Sequence, residues 1–142
     1  MLAAPAPTDR VGVLIVDESE DSREVLRTAL ERRGVATLAA AEAREGVQLA
    51  QQHHPQLIVL DLETIPPDEP DLSQQYDTVS RTLDTELVVL GRAQNFAPAL
   101  PRDRIVPKPY HFAPLVRTIE RILGAWGQRD GVAVRDSGPR SG

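Results

Sequence analysis

Three acidic residues and one lysine follow apolar runs of this sequence and could do chemistry together. They are Asp17 and Glu18 after VGVLIV (11–16), Asp61 after QLIVL (56–60), and Lys108 directly after DRIVP (103–107). If these runs are parallel strands, their carboxyl ends lie at one edge of a sheet, where binding sites form in such folds. We therefore expect the four side chains to lie close together.

A cluster of carboxylates needs a cation among them. Two carboxylates about 4 Å apart repel by about 4 kcal/mol at an effective dielectric near 20. Oxygen ligands with room for water suit Mg²⁺, and a metal-neutralised carboxylate that faces a lysine could receive a phosphoryl group. Taken singly, each acid could equally cap a helix or form a turn, and a loop lysine is usually solvated. The joint placement of the four residues favours the site.

Strand and helix patterns alternate between residues 11 and 126. Two further apolar runs, VATLAA (35–40) and ELVVL (86–90), complete a set of five predicted strands, three of which are apolar almost throughout. Such strands are covered on both faces. The alternation therefore predicts right-handed crossovers and a parallel sheet between two layers of helices.

The predicted helices have apolar stripes and recognisable ends. The first is capped by Asp21 or Ser22 and stops at Gly34; the second ends before Pro55; the third carries Leu72, Tyr76, Val79 and Leu83; the last runs from Phe112 to Trp126, with Pro114 in its first turn.

The composition argues against several classes of function. The 142 residues are 41% hydrophobic with a net charge of −5 and no cysteine. Acidic charge argues against nucleic-acid binding, and the sequence contains no apolar run near the length of a membrane span. We interpret residues 1–10 and 127–142 as mobile tails outside a single domain at 11–126. The sequence suits a cytoplasmic protein.

The segments VLIVDESEDSREVLRTALERRG, PQLIVLD and IVPKPY resemble the receiver domain of two-component response regulators in order and spacing. The resemblance extends over residues 11–126. It implies a flavodoxin-like, doubly wound sheet of five parallel strands in the order 2-1-3-4-5. It also implies a stand-alone receiver that signals by contact with an unknown downstream protein, as a monomer or a homodimer, rather than an enzyme.

The same resemblance assigns roles to individual residues. Asp61 would be the phosphoacceptor, phosphorylated by a histidine kinase or a phosphotransfer protein. Glu18, Asp61 and the backbone carbonyl of Glu63 would bind Mg²⁺, with Asp17 acting through a water molecule. Lys108 would contact the phosphoryl oxygens, and the bond from Lys108 to the following proline would be cis.

Two positions depart from the family pattern. The threonine or serine that usually comes after the fourth strand, and whose hydroxyl bonds the phosphoryl group, is replaced by Gly91. The aromatic residue that usually stands three positions before the lysine is replaced by Ile105. Both parts of the usual relay are therefore missing. Pro98 and Pro101 also predict that the family's helix four, between the fourth and fifth strands, is short or absent.

Three interpretations remain open at this level. In the first, Asp61 is phosphorylated and the signal leaves by an unusual route, such as the loop LETIPPDEPD (62–71) or a rearranged helix four. In the second, the domain is a pseudo-receiver that binds partners without phosphate. The third is a haloacid-dehalogenase-like phosphatase with Glu63 as general acid, although the nucleophile of those enzymes comes after the first strand. A flavin-binding module is disfavoured because VGVLIV is not succeeded by a phosphate-binding loop.

Overall fold

A computed structural model describes residues 11–92, Phe96 and residues 100–129, with side chains up to residue 124. The strands are β1 (Val13–Val16), β2 (Thr37–Ala40), β3 (Leu57–Asp61), β4 (Glu86–Leu90) and β5 (Ile105–Val106); the helices are α1 (Glu20–Glu31), α2 (Ala43–His53), α3 (Asp71–Thr82) and α4 (Phe112–Arg129).

All five strands are parallel and lie in the order β2-β1-β3-β4-β5, which confirms the predicted topology. The register determines which residues meet at the carboxyl edge of the sheet. Val16 at the end of β1 pairs with Leu60 of β3, so Asp17 and Asp61 come next on adjacent strands. Asp61 in turn pairs with Leu90, the last residue of β4.

The core has two layers because the strands are covered on both faces. Alternate residues of β1 and β3 point to opposite sides, as strand geometry requires. One set packs with α2 and α3 and includes Leu14, Val16, Ile58 and Leu60. The other packs with α1 and α4 and includes Val13, Ile15, Leu57 and Val59. This explains why these strands are apolar throughout.

The start of α1 differs from the prediction. Its N-cap is Ser19, whose Oγ accepts a hydrogen bond from the N–H of Ser22 at 3.2 Å, rather than Asp21 or Ser22. Several residues that can cap a helix follow one another here, among them Ser19, Asp21 and Ser22. Which of them is the N-cap depends on where β1 ends, and this cannot be located to one residue from the sequence. The helix ends at Glu31, and Gly34 lies in the turn beyond it with a φ of +82°.

The connection from β4 to β5 lacks an α-helix in its described part. Residues Arg102–Arg104 form one 3₁₀ turn directly before β5, which agrees with a short or absent helix four. Pro98 lies outside the described residues. The last helix continues to Arg129, three residues past the predicted domain boundary at 126. Residues 1–10 and 130–142, predicted as tails, also lie outside the described range.

Candidate functional site

Asp17 and Asp61 are buried side by side at the carboxyl edge of the sheet. Each directly follows or ends a central strand, and they are only 3% and 4% exposed. Buried carboxylates are uncommon unless they have a partner or a cation. Their placement is the one that the strand ends predict.

Lys108 provides the positive charge. Its Nζ donates to Asp61 Oδ2 at 2.6 Å and to Glu63 Oε1 at 3.3 Å. The Lys108–Pro109 bond is cis, as expected. Because the Glu63 carboxylate is 70% exposed, its contact with Lys108 is weakly held, whereas the contact with Asp61 is largely shielded from water.

The other oxygens of the two acids cap local turns. Asp17 Oδ1 accepts the N–H of Ser19 at 2.9 Å, and Asp61 Oδ1 accepts the N–H of Glu63, also at 2.9 Å. Asp61 is thereby the N-cap of a 3₁₀ turn, Leu62–Thr64. Each acid can therefore stabilise its turn and also take part in a site, because only one oxygen of each carboxylate is used for the turn.

The electrostatics of the site favour a cation. Burial raises the pKa of Asp17 from 3.8 to about 6; the Ser19 N–H opposes this, and the negative charge of Asp61 adds to it. Burial lowers the pKa of Lys108, but the hydrogen bonds and charges of Asp61 and Glu63 outweigh this effect and raise it above its ordinary value. Lys108 therefore stays charged at neutral pH, yet it does not fully offset the two buried acids.

Glu18 is only partly drawn into the site. Its N–H donates to Thr64 Oγ1 at 3.0 Å, while the residue itself is exposed. Within residues 11–92, 96 and 100–129, no three acidic, histidine or cysteine side chains converge to hold a metal ion. The buried pair Asp17 and Asp61 could supply two carboxylate ligands, which are of the type that Mg²⁺ prefers, and the backbone of Glu18 is held near them by Thr64.

A cleft of about 450 Å³ opens beside the lysine. It is lined by Ser22, Lys108, Pro109, Tyr110 and Phe112. The Tyr110 and Phe112 rings meet edge to face, 5.3 Å between centroids. Burial raises the pKa of Tyr110, and the charges of Asp17 and Asp61 raise it further, so its hydroxyl remains protonated there. The cleft leaves one side of Lys108, whose side chain is 31% exposed, open to solvent.

The two departing positions are also fixed by the core. Gly91 follows β4 with a φ of +128°, and its N–H donates to the carbonyl of Val106 at 2.8 Å. Ile105 is half-buried and packs against the core cluster that contains Leu62 and Phe96. The site residues that sequence reasoning missed are Leu62 and Thr64. The sequence signal for Thr64 is a hydroxyl-bearing residue in the short turn after β3, two positions after the apolar Leu62.

None of the helices in the described part of the chain is long and apolar enough to cross a bilayer.

Residues 13–66 match the family model described as "Response regulator receiver domain". The polar-differentiation response regulator DivK of Brucella ovis is 33% identical over 51 residues, which are 36% of this chain and 42% of that protein. DivK of Brucella suis matches equally. The match thus covers less than half the length of these relatives. The residues matched by the family model, 13–66, contain β1, α1, β2, α2 and β3.

Solved structures extend the similarity to the rest of the sheet. A CheY-like receiver domain protein from Methanospirillum hungatei superposes with a TM-score of 0.67 at 18% identity, covering 84% of this chain and 98% of that one. The chemotaxis protein CheY4 of Vibrio cholerae gives 0.59 at 21% identity, covering 80% and 98%. At these identities the likeness concerns the fold.

The second half of the chain adopts the same fold although the family match ends at residue 66. It supplies β4, β5 and Lys108, which donates to Asp61. The sequence match over β1 to β3 and the structural similarity over all five strands point to the same kind of domain. The chain is therefore similar to response regulator receiver domains in sequence over residues 13–66 and in fold over all five strands.

Proposed function

We propose that Asp61 accepts a phosphoryl group from a phosphohistidine of a histidine kinase or a phosphotransfer protein. The observation that carries this proposal is the contact of Lys108 Nζ with Asp61 Oδ2 at 2.6 Å, beside the buried carboxylate of Asp17. A carboxylate oxygen of Asp61 attacks phosphorus, the P–N bond to the histidine ring breaks, and a P–O bond forms. The ring nitrogen keeps the electron pair of the broken bond.

The residues of this chain have distinct parts in that transfer. The Glu63 N–H holds Asp61 Oδ1 and so fixes the carboxylate plane. Lys108 stabilises the negative charge that arrives with the phosphoryl oxygens, which is the main requirement of phosphoryl transfer. Asp17, Asp61, the backbone carbonyl of Glu63 and Glu18 would hold Mg²⁺, which supplies further charge neutralisation when bound.

Phosphorylated Asp61 would signal by contact with a downstream protein. The usual hydroxyl-to-aromatic relay is replaced by Gly91 and Ile105, so we propose that the message leaves through the loop after β3. Glu63 and Thr64 in that loop already contact site atoms or the neighbouring acidic loop.

A phosphorylation-independent pseudo-receiver is the second candidate. Two observations favour it: Glu18 is exposed, and the ammonium of Lys108 is already paired with the carboxylates of Asp61 and Glu63. In that function the acidic edge would be a fixed part of a protein-binding surface.

Phosphorylation itself distinguishes the two. The protein is incubated with Mg²⁺ and acetyl phosphate, or with beryllofluoride, and compared with Asp61→Asn, whose amide oxygen can still accept the Glu63 N–H. We expect one added phosphoryl group by intact-protein mass, dependent on Asp61 and abolished by EDTA. No Asp61-dependent adduct with either reagent would reject the first function in favour of the second.

A further inference from the structure

Thr64 joins the two loops that carry the acidic residues. It is one of few buried polar residues in the described chain, 7% exposed, and it ends the turn that begins after Asp61. Its Oγ1 accepts the N–H of Glu18 at 3.0 Å, although the two residues are 46 positions apart. A direct hydrogen bond therefore runs between the loop after β1 and the loop after β3.

The loop after β1 is held from its other sides by the backbone of Asp17. The Asp17 N–H donates to the Ala40 carbonyl at 3.1 Å, and Arg23 Nη1 donates to the Asp17 carbonyl at 2.8 Å. These contacts come from β2 and α1. Thr64 supplies the contact from the loop after β3, the strand that carries Asp61, so it sets the position of Glu18 relative to Asp61.

We propose that Thr64 is a positioning residue for the acidic site, holding Glu18 where it can share a divalent cation with Asp17 and Asp61. The inference rests on the proposed function, since it concerns how the same site binds Mg²⁺. Thr64 has no role in the transfer itself and acts through the backbone of Glu18.

The hydroxyl, and not the bulk of the side chain, is what this role requires. Valine has the shape of threonine but cannot accept the Glu18 N–H, which would lose its partner in a partly buried place. An unmade hydrogen bond of this kind is costly, and the loop can relieve it by moving away from β3. Serine keeps the acceptor and lacks only a methyl group.

The experiment compares Thr64→Val and Thr64→Ser with a matched control, Thr85→Val. Thr85 is also a buried threonine, 3% exposed, and its Oγ1 donates to the Pro55 carbonyl at 2.8 Å, before β4 and so at the opposite edge of the sheet. Mg²⁺ affinity is measured by calorimetric titration, hydrogen exchange of the Glu18 amide by NMR without metal, and stability by thermal unfolding.

We expect Thr64→Val to weaken Mg²⁺ binding about three- to tenfold, the effect of about one hydrogen bond, and to accelerate exchange of the Glu18 amide. Thr64→Ser should bind within about twofold of the parent protein. Thr85→Val should lower the melting temperature with unchanged Mg²⁺ affinity. An unchanged affinity in Thr64→Val, or an equal loss in Thr85→Val, overturns the inference.

The failure of the proposed function would look different. If the parent protein binds no Mg²⁺, both the proposed function and this role of Thr64 are rejected. A parent protein that binds Mg²⁺ and is phosphorylated, with Thr64→Val indistinguishable from it, would remove only the role of Thr64.

Discussion

Gly91 lies directly against Leu62, the residue after Asp61. A Cβ placed on Gly91 would be 3.4 Å from Leu62 Cβ and 3.7 Å from Leu62 Cδ1, and the φ of Gly91 is +128°. Residues with a side chain rarely adopt that backbone conformation. The position where the family usually carries a hydroxyl therefore disfavours a side chain because of its backbone conformation, while Leu62 borders it at ordinary van der Waals distance.

Replacing Gly91 by threonine should consequently destabilise the domain without restoring a relay. The β-branched side chain must either keep the unfavourable φ, at a cost of about 1–3 kcal/mol, or break the contact of the Gly91 N–H with Val106. The measurement is the free energy of unfolding in urea.

Two other glycines provide controls for this substitution. Gly34→Ala tests the effect of a positive φ alone, since Gly34 has a φ of +82° with nothing within 4 Å of an added Cβ. Gly124→Ala, within α4 and also in open space, should be neutral or stabilising. A Gly91→Thr protein as stable as its parent would show that the backbone at residue 91 adapts freely.

The pair of acidic side chains at the carboxyl edge of the sheet can be predicted because the strand register places them next to each other. Once β1 and β3 are parallel neighbours, Asp17 and Asp61 must lie together, and the apolar runs locate both strand ends. Leu62 and Thr64 cannot be placed in the same way, because the 3₁₀ turn after Asp61 has no periodic pattern. Gly91 is recognisable as a departure from the family, but its φ depends on the path of the chain into the next loop.

The Lys108–Asp61 contact should be energetically coupled in the metal-free protein. Lys108→Met leaves two buried carboxylates without a cation and should destabilise the protein, whereas Asp61→Asn removes one of the two negative charges. We expect the double variant to recover much of the loss, with a coupling free energy of about 1–3 kcal/mol. Urea unfolding of the four proteins in EDTA gives the cycle. Additive effects would mean that solvent already screens the pair.

Asp17→Asn should stabilise the metal-free protein at neutral pH. The pKa of Asp17 is raised from 3.8 to about 6, mainly by burial, so the folded state holds the proton more tightly than the unfolded state. The ionised carboxylate therefore destabilises the fold: its cost is full above pH 6 and disappears below about pH 4. At 1.36 kcal/mol per pKa unit, the gain at pH 7.5 is at most about 3 kcal/mol.

Thermal unfolding of Asp17→Asn from pH 4 to pH 7.5 in EDTA checks this dependence. The exposed Asp68→Asn serves as the control for loss of one negative charge. The difference from the parent protein should grow with pH only for Asp17→Asn. A gain that is the same at pH 4 and pH 7.5 would contradict a pKa near 6.

Beryllofluoride should change the loop after β3 more than it changes β5. Lys108 divides its donors between Asp61 and Glu63, so an added group on Asp61 competes for the ammonium and weakens its exposed contact with Glu63. Ile105 makes apolar packing contacts with the core and has no polar group in line with Asp61. Hydrogen–deuterium exchange with and without beryllofluoride should therefore show the larger difference in residues 62–70, and Asp61→Asn should show none. A larger response in residues 105–106 would place the outgoing signal on the β5 side despite the loss of the hydroxyl and the aromatic ring.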